Sequence, residues 1–82
     1  MTHNFEKGQR IKIKTNGSEV DQATIEEVKG AIISIICDKI PDKDKVIEFE
    51  YDNKNDCWYY SSGGTEGNAL FRQFWPYSLY VA

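Results

Sequence analysis

Two cysteines, a single histidine and thirteen carboxylate side chains are the residues of this chain with the means for covalent, metal or acid–base chemistry. A thiol nucleophile needs a base to take its proton, and the sole imidazole, His3, sits near the beginning of the chain, far in sequence from Cys37 and Cys57. A structural zinc site usually needs four Cys/His ligands in paired spacings, and that arrangement does not occur here. The segment Asp52-Asn53-Lys54-Asn55-Asp56 has the alternating oxygens of a calcium loop. However, Lys54 holds a ligand position, no Gly follows Asp56 and no Glu closes the loop, so it reads as a hairpin turn. Ser62-Gly63-Gly64-Thr65 and Gly67 are permissive enough to cradle an anion, but they lack the Gly-Lys-Ser/Thr signature and the strand-to-helix setting of a phosphate loop. Carboxylate pairs are present without a sign of the concave site that would raise a pKa. The expectation is a chain that is not an enzyme and carries no metal or cofactor. A disulfide between Cys37 and Cys57 is open if they face each other on neighbouring strands, with two buried thiols in a reducing cell the preferred reading.

Binding chemistry is better represented. The rings of Trp58, Tyr59, Tyr60, Phe71, Phe74, Trp75, Tyr77 and Tyr80 crowd the second half of the chain. On a strand through Cys57–Ser61, Trp58 and Tyr60 share one face while Cys57 and Tyr59 take the other, so at least one large ring is expected at the surface. Exposed Trp and Tyr contribute large contact area at small entropic cost; the competing possibility, that a small domain fills its interior with rings, stays open. Two charged faces accompany them: Arg10, Lys12 and Lys14, with Lys7 nearby, and Glu48, Glu50 and Asp52, which share the same period and are expected to lie opposite each other as cross-strand pairs.

The elements that position these residues are short. Gln9–Thr15 (QRIKIKT) alternates Ile11 and Ile13 with basic residues, the period of a half-buried strand, and Asn16-Gly17-Ser18 supplies a turn. Ser18–Gly30 is ambiguous. Ser18 as N-cap, Glu19 and Asp21 in a first turn and Gly30 at the end suit a helix, but Val20, Ile25 and Val28 share no narrow face, and a strand hairpin is preferred. Ala31–Cys37 (AIISIIC) is β-branched and reads as a strand buried on both faces, and Asp38–Lys45, with Pro41, as a solvated loop. Val46–Tyr51 is a clear strand with Ile47, Phe49 and Tyr51 pointing one way. Ser62–Asn68, with three glycines, reads as a mobile loop. Pro76 is expected to stop a ladder and to place a 3₁₀ turn before a brief final strand.

About five short strands with polar connections suggest a small closed barrel, which hides sheet edges. Lys7-Gly8-Gln9-Arg10-Ile11-Lys12-Ile13 resembles the "KGxxhxh" start of a barrel strand in SH3 and Tudor-type domains, Asn55-Asp56-Cys57-Trp58-Tyr59-Tyr60 resembles the SH3 segment that begins with an acidic residue and a Trp, and Trp75–Ala82 is similar to the SH3 terminus. The resemblance implies an all-β SH3-like barrel, and with it either a groove for PxxP peptides or a cage for methylated residues. The chain lacks the SH3 "ALYDY" stretch, spaces Pro76 and Tyr80 one residue wider, and carries the additional stretch Ala31–Asp52, which is closer to Tudor-like or ribosomal-type barrels than to an SH3 ligand-binding domain. The alternative architecture is α+β, with a helix over 18–29 packed on an antiparallel sheet.

Eighty-two residues at 40% apolar and 28% charged suit one globular domain covering 1–82, with 1–6 expected to be loose. No apolar run reaches membrane-spanning length and no signal peptide is evident, so the expected setting is cytoplasmic, with no membrane partner. A net charge of -3 disfavours bulk neutralisation of nucleic-acid phosphates. The functional expectation is a non-enzymatic protein-binding module, or a small accessory or inhibitor subunit, acting through Trp58, Tyr60, Trp75, Pro76, Tyr77, Tyr80, Glu48 and Glu50. The alternative is a nucleic-acid-binding barrel using Arg10, Lys12 and Lys14 with stacking rings.

Overall fold

A computed structural model describes residues 4–82; residues 1–3, including His3, lie outside the described residues. Six strands and one short helix follow in order: β1 (Arg10–Thr15), β2 (Ser18–Lys29), β3 (Ile32–Cys37), β4 (Ile47–Asp52), β5 (Cys57–Ser62), α1 (Gly64–Leu70) and β6 (Pro76–Val81). Each strand pairs antiparallel with the next, and β6 returns to pair with β1, closing an all-β barrel. Closure leaves most strands paired on both sides, which is how so small a sheet protein avoids exposed edges.

The ambiguous segment 18–29 is strand. Asn16 (φ 51°) and Gly17 (φ 79°) both take the left-handed region and reverse β1 into β2, the turn an Asn-Gly pair is suited to. The helix-like features of β2 have a physical origin in two bulges. Its register slips against β1 between Ile13 and Lys14, and against β3 between Ile25 and Glu27. These slips interrupt the period-2 pattern and let a twelve-residue strand bend around the barrel. Between them, Asp21, Ala23 and Ile25 all point inward. Buried Asp21 is satisfied by the backbone N–H groups of Gln22 (2.7 Å) and Lys39 (3.0 Å).

The core divides by residue type. Ile11, Ile13, Ile25, Ile33 and Ile35 from β1–β3 fill one half, and β-branched residues suit these strands. Rings fill the other: Phe49, Phe71 and Tyr77 meet edge to face, with centroids 4.9–5.6 Å apart. At the other end Trp58 packs on Tyr51 (5.2 Å) and on Phe5 (5.7 Å).

Three expectations need correction. Residues 62–68 do not form a mobile loop: Gly64–Leu70 is helical, because a glycine allows the helix to lie directly on the barrel end. A Cβ at Gly67 would stand 2.5 Å from Tyr60 Oη and 2.9 Å from Ile47 Cδ1, so only glycine permits this approach, and Tyr60 Oη donates to Asn68 Oδ1 at 2.7 Å to hold it. Pro76 does not stop the ladder but begins β6, a position where a missing N–H is tolerated. The preceding turn falls at Gln73–Phe74, with Phe74 at φ 60°, outside 3₁₀ geometry. The segment after β3 is also better anchored than its charges suggest. Ile40 is buried, and Lys43 Nζ donates to the carbonyls of Cys37, Asp38 and Ile40 at 3.1, 3.0 and 2.8 Å.

Candidate functional site

The inward set of β5 comprises Trp58 and Tyr60, which are 4% and 3% exposed; Tyr77 on β6 is 3% exposed. Three of the rings considered for binding therefore serve the core. The outward set is Cys57, Tyr59 and Ser61, and the ladder places Tyr59 between Glu50 on β4 and Pro76 on β6. Glu48 and Asp52 flank Glu50 on the same outer face. A register slip between Glu48 and Phe49 leaves Ser61 as the extra residue and brings Ser62 Oγ to Glu48 Oε1 at 3.4 Å.

Phe74 completes this face. The loop that carries it is fixed on both sides: Arg72 N donates to Tyr77 Oη at 2.8 Å, and the Arg72 guanidinium lies 4.4 Å over the Trp75 ring. Trp75 Nε1 donates to Thr15 Oγ1 at 2.7 Å, and Thr15 Oγ1 in turn donates to the Pro76 carbonyl at 3.0 Å. Trp75 is thus spent on anchoring. Between these anchors Phe74 adopts φ 60° and stands 91% exposed. A left-handed conformation costs a non-glycine residue about 1–2 kcal/mol, and this ring gains no packing in return.

Two concavities meet along Glu50 and Tyr59. One, about 330 Å³, is lined by Glu50, Tyr59, Ser61, Gln73 and Phe74 with an edge of Tyr60. The other, about 690 Å³, runs over Glu50, Tyr51, Asp52, Asn53, Lys54 and Tyr59. The Asp52–Asp56 turn spends its carboxylates internally: Asp52 accepts from Lys54 N (3.0 Å) and Asn55 Nδ2 (2.8 Å), and Asp56 accepts from Tyr51 Oη. That last bond, with burial, pushes the Tyr51 phenol up to about 12.

The basic strand lies elsewhere, and the expected pairing of Arg10, Lys12 and Lys14 with Glu48, Glu50 and Asp52 does not occur. β1 neighbours β2 and β6, whereas β4 neighbours β3 and β5. Arg10 forms a two-pronged pair with Asp38 at 2.9 and 2.6 Å, which holds the Asp38 carboxyl below its ordinary range. Lys12 sits opposite Tyr80 in the ladder, and Lys14 Nζ lies 5.7 Å from the centre of that ring, which is 53% exposed.

Both cysteines are free thiols, Cys37 buried and Cys57 half-buried. Burial, helped by Asp21, pushes Cys37 up to about 12, so it stays a protonated, inert thiol at neutral pH. Among the described residues no group of three or more His, Cys, Asp or Glu is placed to hold a metal ion, and no helix is long and apolar enough to cross a membrane. The geometry thus defines a small closed β-barrel with a concave acidic face ending in an exposed ring. No family model, curated protein or solved structure matches the chain.

Of the residues singled out in the sequence, Glu48, Glu50 and Pro76 share the β4–β6 face, Tyr80 joins Lys12 and Lys14, and Trp58, Tyr60 and Tyr77 are inside. Phe74, Tyr59, Ser61 and Gln73 were not assigned to the site. Tyr59 was accessible to alternation, since it opposes the inward Trp58 and Tyr60, whereas the outward turn of Phe74 depends on contacts from Thr15, fifty-nine residues away in sequence.

Proposed function

We propose that the chain is an SH3-like barrel acting as a non-enzymatic interaction module, and that it binds a protein partner through Glu48, Glu50, Tyr59, Phe74 and Pro76. Support for the barrel type comes from the placement of the three resembling segments. Lys7–Ile13 leads into β1, Asn55–Tyr60 enters β5, and Trp75–Ala82 forms the closing strand. The free thiols fit a reducing, cytoplasmic setting.

The observation that carries the reading is Phe74, a large ring that is strained, solvent-exposed and rigidly supported. Strain of this kind persists where a function uses it, and an exposed ring beside a carboxylate suits a segment with an apolar residue next to Lys or Arg. The nucleic-acid alternative draws less support, because Asp38 already engages Arg10 and two lysines with Tyr80 are left for phosphates.

Selection of a displayed random-peptide library on the purified barrel tests the reading. Enriched sequences should combine a basic with an apolar residue and lose about tenfold or more in affinity against Phe74→Ser and Glu50→Gln. Sequences that bind both variants as well as the native chain would place the site elsewhere.

A further inference from the structure

We infer that the acidic face described above has a specific occupant, the basic face of a second copy of this chain, so that copies associate head to tail. This rests on the reading of the β4–β6 face as a docking surface and names its partner. In the closed ring of six strands the carboxylates lie on β4 and the lysines on β1, three places away, so the two charged rows occupy different stretches of the barrel wall. One wall carries Glu48, Glu50 and Asp52 with the half-buried ring of Tyr59 and the exposed ring of Phe74. The other carries Lys12 and Lys14 with Tyr80.

The two walls complement each other in charge, and each presents at least one accessible ring. Among the described residues Glu50 and Lys12 form no ion pair, so each can accept a partner without breaking one of these. Lys54 lines the far end of the acidic wall, away from Phe74. The molecule measures 33 × 24 × 20 Å, large enough for one side to supply the roughly 800 Å² that each partner buries in an interface of ordinary size.

Because the complementary walls are different surfaces, the contact is heterologous, and its repetition gives a ring or an open chain of barrels. The net charge of -3 on every copy opposes association, so the contact is weak and belongs to high protein concentration. Few ion pairs at a partly hydrated contact also make it salt-sensitive.

Sedimentation equilibrium across about 0.05–1 mM protein at low and high salt tests this with the native chain and two variants. One, Glu50→Gln with Phe74→Ser, disables the acidic wall; the other, Lys12→Gln with Lys14→Gln, disables the basic wall. Glu50 and Phe74 are exposed and Lys12 and Lys14 half-buried on the outer face, and circular dichroism confirms that the variants are folded. The native chain should grow past the mass of two copies as concentration rises at low salt and return towards 9.5 kDa at high salt. Each variant alone should stay monomeric, and an equal mixture should stop at two chains, since one intact wall remains on each.

A native chain that stays monomeric at 1 mM overturns the proposal, as does a closed dimer that survives in either variant. Basic peptides selected through Phe74 alongside a monomeric chain would remove the second copy as partner and leave the docking surface standing. Failure of both experiments removes the surface itself. Binding of the native chain to an oligothymidylate, lost in the lysine variant without any self-association, would assign the basic wall to nucleic acid instead.

Discussion

The outer surfaces of β1 and of β4–β5 carry charges at the same period, yet they are organised differently. On β1 two of the three basic groups are engaged within the chain: Arg10 clasps Asp38 and Lys14 lies over Tyr80. Across β4 and β5 the surface is concave, no cation among the described residues pairs with Glu50, and the adjoining loop holds Phe74 out in a conformation that folding alone would not select. Alternating charge alone does not tell a solvated face from a docking one, whereas strain that is stabilised from both sides and returns no packing marks a surface kept for contact.

That contrast can be broken most forcefully at the core rings. Trp58→Ala should lose about 3–5 kcal/mol, because the indole is enclosed by Tyr51 and Phe5, and urea denaturation measures it. A loss below 1 kcal/mol would mean that Trp58 belongs to the surface after all. Gly67→Ala should cost about 1–3 kcal/mol by overpacking against Tyr60 and Ile47, read as a lowered thermal midpoint. Unchanged stability there would detach α1 from the barrel end.

The smallest of these effects concerns β1. The Asp38 carboxyl is held below its unfolded value by Arg10, so its contribution is present above the ordinary aspartate range and is lost as pH falls through the lowered folded value. Both groups are about half exposed, so Asp38→Asn should cost less than about 1 kcal/mol at pH 7 and progressively less as pH falls below the ordinary aspartate range. A penalty that does not shrink as pH falls would show that the carboxylate is not its source.

Much of the barrel was legible from alternation: Ile11 and Ile13 on β1, and Ile47, Phe49 and Tyr51 on β4, point inward as their spacing predicts. The segment 18–29 was harder to read, because two bulges and an inward, hydrogen-bonded Asp21 disturb its period, and only pairing with β1 and β3 reveals them. Helix α1 was hidden by its glycines, which signal a loop locally and close approach to Tyr60 in three dimensions. The site was half visible. Glu48, Glu50 and Pro76 were assigned to it, while Phe74 is exposed only because Thr15, Arg72 and Tyr77 fix the loop around it.

The central claim, that Phe74 is held for contact and not for folding, is tested most directly by urea denaturation of Phe74→Gly beside the native chain. Glycine accepts φ 60° without strain, so the variant should be as stable as the native barrel or gain up to about 1 kcal/mol. A loss of 2 kcal/mol or more, on the scale of a buried ring, would show that Phe74 packs within the fold and would contradict the account.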